Sequence, residues 1–255
     1  TYVIRIREIE AGRGEVQPSM LLVMDPRGET IDLPGEATHE PTFGLPALWM
    51  APAHREEAVF RGLTVVDPAT VVTTHLTEVV KDHMAILLSY AATRRQLDEL
   101  DKDQQKLIAD IIPAQIAYAG VQRVLQHLLA ERISIRDLPS ILEGVAEACG
   151  HTRSTQQITE HVRARLCRQI SDMHTSEAGF IPLLTLSPEW EQAFSESLAG
   201  PGDERQLAMA PSKLQQFIGA LRTAFERQAQ AGEAPVLLTS PAIRPYVRSI
   251  VERIR

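Results

Sequence analysis

The order of apolar and polar residues divides the chain into a strand-rich beginning, a helical middle and a mixed end. Alternation over Tyr2–Ile6 predicts a half-buried strand. Short apolar runs bounded by turn residues predict further strands at Met20–Met24, Ala47–Met50 and Leu63–Val66, and a short helix over Pro52–Phe60 fits between the last two. The first part of the chain is therefore expected to be mixed and β-rich.

Helical spacing begins at Asp67-Pro68, where the aspartate can cap free amides and the proline fits the first turn. The pattern continues to about Tyr90, which predicts a helix about 33 Å long at ~1.5 Å per residue. Its predicted inward residues are apolar apart from one histidine: Val72, Leu76, Val79, Val80, His83 and Leu87. Its predicted solvent side carries Thr74, Glu78, Lys81 and Asp82.

The middle of the chain, residues 93–170, shows only helical stripes of apolar residues, so it is predicted to be all-helical. Its last helix is expected to start at Ser154 or Thr155 and to run to Ile170. Strand and helix signals alternate again from Phe180, with helix starts at Ser187-Pro188 and Pro211. A strand is predicted over Pro235–Thr239.

The predicted fold class is α+β multidomain, with mixed α/β N-terminal subdomains, an inserted small β-rich subdomain, a central all-helical subdomain and a C-terminal α/β subdomain. The predicted boundaries are 1–18 with 68–90 for the first α/β subdomain, 19–67 for the inserted one, 91–170 for the helical one and 171–255 for the last. The C-terminal subdomain is expected to lack its last strand, because its final helix has no strand after it.

Composition narrows the function classes. The 255 residues carry 26 Lys and Arg against 33 Asp and Glu, a net charge of −7, which argues against binding to nucleic acid or to an anionic membrane surface. No apolar run approaches the roughly 20 residues of a membrane helix. Cys149 and Cys167 form neither a disulfide framework nor a CxxC pair, which favours a reduced, cytosolic setting.

No common catalytic or nucleotide-binding motif is present: there is no GxxxxGK[ST], no GxGxxG after a strand, no GxSxG and no HExxH. His75 and His83 lie eight residues apart without partners and are interpreted as packed or half-exposed helix residues. The sequence therefore predicts no catalytic residue, no metal site and no cofactor, and the expectation is that the chain is not an enzyme. An enzyme with an unrecognised site in the C-terminal α/β domain stays an alternative, because many active sites leave no local signature.

One proline-bounded loop, residues 39–46, contains an aromatic residue, Phe43, for which the sequence indicates no clear packing role within the loop. Phe43 is either tucked under the loop or exposed as an apolar contact for a partner.

Three stretches of this sequence resemble the cytoplasmic region of the FHIPEP family, the large export-gate proteins of type III secretion. They are Leu33-Pro34-Gly35 through Glu40-Pro41-Thr42-Phe43-Gly44-Leu45-Pro46 to Trp49, Thr64 to Val72 with Thr74-His75-Leu76, and Val124-Leu125-Gln126 through Ile135-Arg136-Asp137-Leu138 to Glu143. Weaker similarity continues at Pro235–Leu238 and Ile243–Pro245, so the resemblance covers nearly the whole chain.

The resemblance implies a docking platform and no catalysis. Members of the family have an N-terminal membrane domain, absent here, and a cytoplasmic part with four subdomains that assembles into a nine-membered ring. The expected location is thus the cytoplasmic side of a bacterial inner membrane, with membrane contact only through the absent domain. The implied partners are flagellar export chaperones with bound substrates and other components of the export apparatus.

The resemblance also implies a docking cleft between the first two subdomains. The family's contact residues are an acid and a phenylalanine in a D-P-x-F loop and a threonine on the following helix, which correspond to Glu40, Phe43 and Thr74. The acid is glutamate here, where the family usually has aspartate. An acid beside an apolar anchor would form a recognition pair, the anchor supplying affinity and the charge orientation. Residues expected to line the cleft are Pro41, Gly44, Leu45 and Val66.

Two family branches fit this resemblance. Two sequence motifs favour the flagellar branch. They are Phe-Gly-Leu-Pro-Ala-x-Trp at Phe43–Trp49 and Val-Val-Asp-Pro-Ala-Thr-Val-Val at Val65–Val72. The equivalent export-gate domain of a virulence injectisome is the alternative.

Overall fold

The computed structural model describes residues 1–200 and 205–252, and the chain forms two compact units. The first comprises Thr1–Ser89 with Leu129–Arg132, and the second Tyr90–Leu128 with Ile133–Arg255. The four-part division predicted from the sequence is finer than these two units and stays a prediction.

The first unit contains most of the strands. Its elements are β1 (Tyr2–Ile6), β2 (Ile9–Gly14), β3 (Leu21–Met24), β4 (Glu36–His39), β5 (Pro46–Met50), a 3₁₀ turn (Pro52–His54), α1 (Arg55–Phe60), β6 (Thr64–Val66), α2 (Pro68–Asp82) and α3 (Met84–Leu87). β1 and β2 form an antiparallel hairpin. The other strands form a four-stranded antiparallel sheet in the order β4-β5-β3-β6.

The four-stranded sheet is apolar on both faces, since successive side chains along a strand point to opposite sides. One face packs against α2 through a cluster of Leu22, Ala47, Trp49 and Val71. The other face packs against α1 through Val23, Leu48, Met50 and Ala58. Trp49 is only 3% exposed and is the largest residue of its cluster, as a core anchor should be.

The start of α2 is as predicted, because the Asp67 carboxylate accepts a hydrogen bond from the Thr70 amide at 2.8 Å. Its end is earlier than predicted. The helix stops at Asp82, where the His83 ring nitrogen Nδ1 lies 2.7 Å from the Val79 carbonyl oxygen. The helix is therefore about 22 Å long and not 33 Å.

The buried face of α2 also differs from the prediction. Val71, His75 and Val79 are buried, whereas Leu76 is 44% and Val80 39% exposed. The reason lies in β2, which packs across this helix. A Cβ atom on Gly12 would lie 2.9 Å from Nε2 of His75, so glycine allows the strand to approach the histidine side of the helix.

The second unit is mainly helical. Its elements are α4 (Tyr90–Asp98), α5 (Lys102–Ile111), α6 (Tyr118–Ala130, which ends within the first unit), α7 (Leu138–Cys149), α8 (Thr155–Arg165), α9 (Cys167–His174), β7 (Leu183–Thr185), α10 (Pro188–Glu196), β8 (Leu198–Ala199), β9 (Gln206–Leu207), α11 (Pro211–Gln230), β10 (Val236–Leu238) and α12 (Arg244–Val251). The helix predicted to run to Ile170 is in fact divided at Leu166, which is buried.

The end of the second unit has the predicted α/β character. β7 and β10 pair in parallel, and α10, α11 and α12 contribute a common apolar cluster. Phe194 of α10 and Phe217 of α11 meet edge to face, with ring centroids 4.8 Å apart. The fold class predicted from the sequence, α+β with a helical middle and a mixed end, is confirmed.

Candidate docking site

The loop between β4 and β5, residues 40–45, is closed by its own backbone and is called the docking loop below. The Glu40 amide donates to the Leu45 carbonyl at 2.8 Å, and the Gly44 amide donates to the Glu40 carbonyl at 2.9 Å. Gly44 has φ +69°, a left-handed conformation that glycine adopts without strain. The loop backbone therefore has a defined conformation.

The carboxylate of Glu40 is used inside the docking loop. Its side chain is buried, with the residue 5% exposed. Oε1 accepts a hydrogen bond from the Thr42 amide at 2.8 Å, and Oε2 accepts one from the Phe43 amide at 2.7 Å. Hydrogen bonds to an ionised carboxylate are about twice as strong as neutral ones. The charge that the sequence suggested as an orienting group for a partner is thus directed at the loop's own backbone.

The apolar side chains of the loop point outward. Phe43 is 66% and Leu45 45% exposed, so the phenyl ring is not tucked under its own loop. Burying a phenylalanine side chain is worth about 1.5–3 kcal/mol, and this chain leaves most of that unused at position 43. Gly44 is exposed as well, while Pro41 is half-buried. Val66 is half-buried and packs on the Trp49 cluster.

Tyr2 of β1 and His75 of α2 form a pair near Glu40. The Tyr2 hydroxyl lies 2.7 Å from Nδ1 of His75, and the two rings meet edge to face with centroids 5.7 Å apart. Burial raises the pKa of the Tyr2 phenol above its ordinary value of 10.0, and the negative charge of Glu40 raises it further. This tyrosine–histidine pair joins the β1–β2 hairpin to α2.

Thr74 precedes His75 on α2 and is exposed, as predicted from the helical pattern. The structure thus places Phe43 and Thr74 at the surface and Glu40 beneath it. His75 is 6% exposed, which agrees with its interpretation as a packed helix residue. The sequence predicts Tyr2 only as a strand residue, and its contact with His75 has no signal in the local sequence.

Further features of the described residues bear on metal binding, on membrane spanning and on the chemistry of the cysteines. Within residues 1–200 and 205–252, no three His, Cys, Asp or Glu side chains are grouped so that they could hold a metal ion. Over the same residues, no helix has the length and hydropathy needed to cross a membrane. Cys149 is buried, which raises the pKa of its thiol, and Cys167 is exposed.

Solved structures share this fold. The Chlamydia pneumoniae CdsV protein superposes with a TM-score of 0.83 at 24% identity, over 98% of this chain and 71% of that one. The nonameric EscV cytosolic domain from the type III secretion system superposes with a TM-score of 0.72 at 19% identity, over 96% of this chain and 72% of that one. These likenesses define the class of fold.

Sequence comparison gives the family. The FHIPEP family profile matches residues 1–255, and the chain belongs to the FHIPEP family. The flagellar biosynthesis protein FlhA of Caulobacter vibrioides is 61% identical over 254 residues, which are 100% of this chain and 36% of that protein. The chain therefore spans about a third of the length of the curated relatives that it matches.

Proposed function

We propose that this chain is the cytoplasmic docking platform of a flagellar type III protein export gate, and that it binds export chaperones loaded with substrates. The proposal rests on family membership and on one structural observation: an ordered loop that leaves Phe43 two-thirds exposed. Phe43 is accompanied by exposed Leu45 on the same loop, and grouped apolar side chains at the surface are what interaction sites present. Such a platform binds and orders cargo and performs no catalysis.

The proposed docking site consists of Glu40, Phe43 and Thr74, and Pro41, Gly44, Leu45 and Val66 are the residues proposed to line a cleft there. In this site Phe43 is the apolar anchor for a partner helix or a short linker. Thr74 offers an exposed hydroxyl from α2. The exposure of Phe43, Leu45 and Thr74 supports their availability to a partner.

The flagellar assignment is favoured over the injectisome alternative by sequence. The relative at 61% identity is a flagellar biosynthesis protein, whereas the similar CdsV structure has 24% identity. Assembly into a nine-membered ring is part of the proposal and is supported by the nonameric EscV domain of the same fold. The membrane anchor and further export-apparatus partners belong to the whole protein and are proposed for it on the same grounds.

The test is binding of a chaperone–substrate complex to Phe43→Ala, measured by isothermal titration calorimetry. A matched control is Phe60→Ala, because Phe60 is 93% exposed at the end of α1, the helix that covers the opposite face of the sheet from α2. The complexes are those formed by the flagellar export chaperones of Caulobacter vibrioides, the source of the 61% identical relative. Loss of affinity in Phe43→Ala alone is expected. Equal affinity in both variants and wild type would refute the site, and turnover in an activity screen without chaperone binding would favour the enzyme alternative.

A further inference from the structure

We infer that Glu40 is a positioning residue of the docking loop, which acts on a partner through Phe43 and makes no direct contact with it. This inference rests on the proposed function and deepens it. Both carboxylate oxygens of Glu40 already accept backbone amides, from Thr42 and Phe43, and the residue is 5% exposed. Because so little of the residue is exposed, the carboxylate is shielded from a partner's donor, even though each oxygen could accept a further hydrogen bond.

Two hydrogen bonds to Glu40, one on each side of the Phe43 Cα, explain how Glu40 positions Phe43. The Phe43 amide is fixed by Oε2 at 2.7 Å, and the Gly44 amide is fixed by the Glu40 carbonyl at 2.9 Å. The backbone on both sides of the Phe43 Cα is thereby held by one residue. A loop backbone that is already held in place loses less conformational entropy when a partner covers its side chains.

A second acid–proline turn in the same unit has a similar arrangement, in which an acid accepts backbone amides of its own turn. In Asp25-Pro26-Arg27-Gly28, the Asp25 carboxylate accepts the Arg27 amide at 2.7 Å, and the Asp25 carbonyl accepts the Gly28 amide at 2.9 Å. Asp25 is also buried, with 8% exposure. An acid before proline therefore serves as an internal amide acceptor in this fold.

The glutamate at position 40 fits this role. Its turn is one residue longer than that of Asp25. The amide that donates to the Glu40 carbonyl belongs to Gly44, four residues later, whereas the amide that donates to the Asp25 carbonyl belongs to Gly28, three residues later. Its carboxylate accepts the amides of both the second and the third following residue, one with each oxygen. What the loop offers to a partner is then its apolar side, Phe43 and Leu45. The partner chemistry that fits is an apolar helix face or linker, with no requirement for a basic group opposite Glu40.

A double-mutant cycle separates positioning from direct contact. The affinity for a Caulobacter vibrioides export chaperone–substrate complex is measured for wild type, Glu40→Gln, Phe43→Ala and the double variant. Positioning predicts about tenfold weaker binding for Glu40→Gln when Phe43 is present, and less than about twofold when position 43 is alanine. Equal losses in both backgrounds would show direct contact by Glu40 and overturn the inference.

A second readout needs no partner. Glu40→Gln keeps the shape but replaces one acceptor oxygen with an NH₂ donor, so amide hydrogen exchange in the free chain should become about tenfold faster or more at whichever of Thr42 and Phe43 faces that group. Glu40→Asp should keep part of the protection, as Asp25 does for Arg27. Asp25→Asn is the matched control and should speed exchange at Arg27 without changing affinity.

The two readouts also separate this inference from the proposed function. If Phe43→Ala binds the complex normally, the docking proposal fails, and exchange still decides whether Glu40 holds the loop. Unchanged exchange at Thr42 and Phe43 in Glu40→Gln would overturn the positioning role whatever the affinities are.

Discussion

Phe43 and Trp49 lie six residues apart on the β4–β5 hairpin, yet one is 66% exposed and the other 3%. Trp49 is on a strand with neighbours on both sides, and its ring fills the cluster beneath α2. Phe43 is in a loop whose order comes from Glu40 and not from its own ring. One aromatic residue therefore stabilises the fold, while the other is left exposed by a backbone that other hydrogen bonds hold.

The largest effect expected from this comparison is on the buried ring. Trp49→Ala removes the centre of a packed cluster and should lower the free energy of unfolding by about 3–5 kcal/mol. Urea denaturation followed by circular dichroism measures it. A loss below about 1 kcal/mol would show that Trp49 does not support the sheet in the way described.

The second-largest loss of stability is expected from substitution of Glu40, the acid that holds the docking loop. Glu40→Gln leaves a buried amide without its charged acceptor, and the free energy of unfolding should fall by about 1–3 kcal/mol in the same urea experiment. Asp25→Asn weakens one side-chain hydrogen bond and removes an ion pair with the exposed Arg27 side chain, so it should cost less. If Glu40→Gln is as stable as wild type, the docking loop does not depend on its carboxylate.

The pair of Tyr2 and His75 adds a smaller, pH-dependent contribution to the free energy of unfolding. The folded chain raises the pKa of Tyr2, so it holds the phenol proton more tightly than the unfolded chain does. This contribution is fully present below pH 10.0 and is lost as the pH rises through the higher folded value.

Tyr2→Phe should therefore reduce the drop in the urea midpoint between pH 8 and pH 11, compared with wild type. Glu40→Gln should reduce it partly, because the negative charge near the phenol is removed. The same drop in wild type and Tyr2→Phe would show that Tyr2 does not titrate differently in the folded chain.

The smallest stability effect belongs to the exposed ring. Phe43→Ala removes a side chain that is mostly in water, so the free energy of unfolding should stay within about 0.5 kcal/mol of wild type. The urea midpoint of this variant, compared with Trp49→Ala, sharpens the contrast between the two aromatic residues. A loss similar to that of Trp49→Ala would mean that Phe43 is a packing residue.

The elements with strong local signals could be predicted from the sequence. β3, β5 and β6 have apolar runs, and α2 begins at an aspartate–proline cap. The strands β2 and β4 have no such signal, because IEAGRG and EATH contain few apolar residues and are held by pairing with their neighbours. Pairing partners distant along the chain leave no periodic pattern in a strand.

The candidate site was predictable only in part. A proline-bounded loop with Phe43 could be selected from the sequence, and the ring is exposed as an interaction role requires. The burial of Glu40 and the contact between Tyr2 and His75 depend on residues up to 73 positions apart. They follow from how the hairpin, the loop and α2 pack, and neither charge patterns nor helical spacing could reveal them.

The most direct test of the central claim, that the docking loop presents Phe43 to a chaperone, is site-specific photocross-linking. A benzoyl-phenylalanine placed at position 43, and in a control chain at position 60, is irradiated with the Caulobacter vibrioides chaperone–substrate complexes. The account predicts a cross-linked product with a chaperone from position 43 and none from position 60. Cross-linking from position 60 alone, or equally from both, would contradict it.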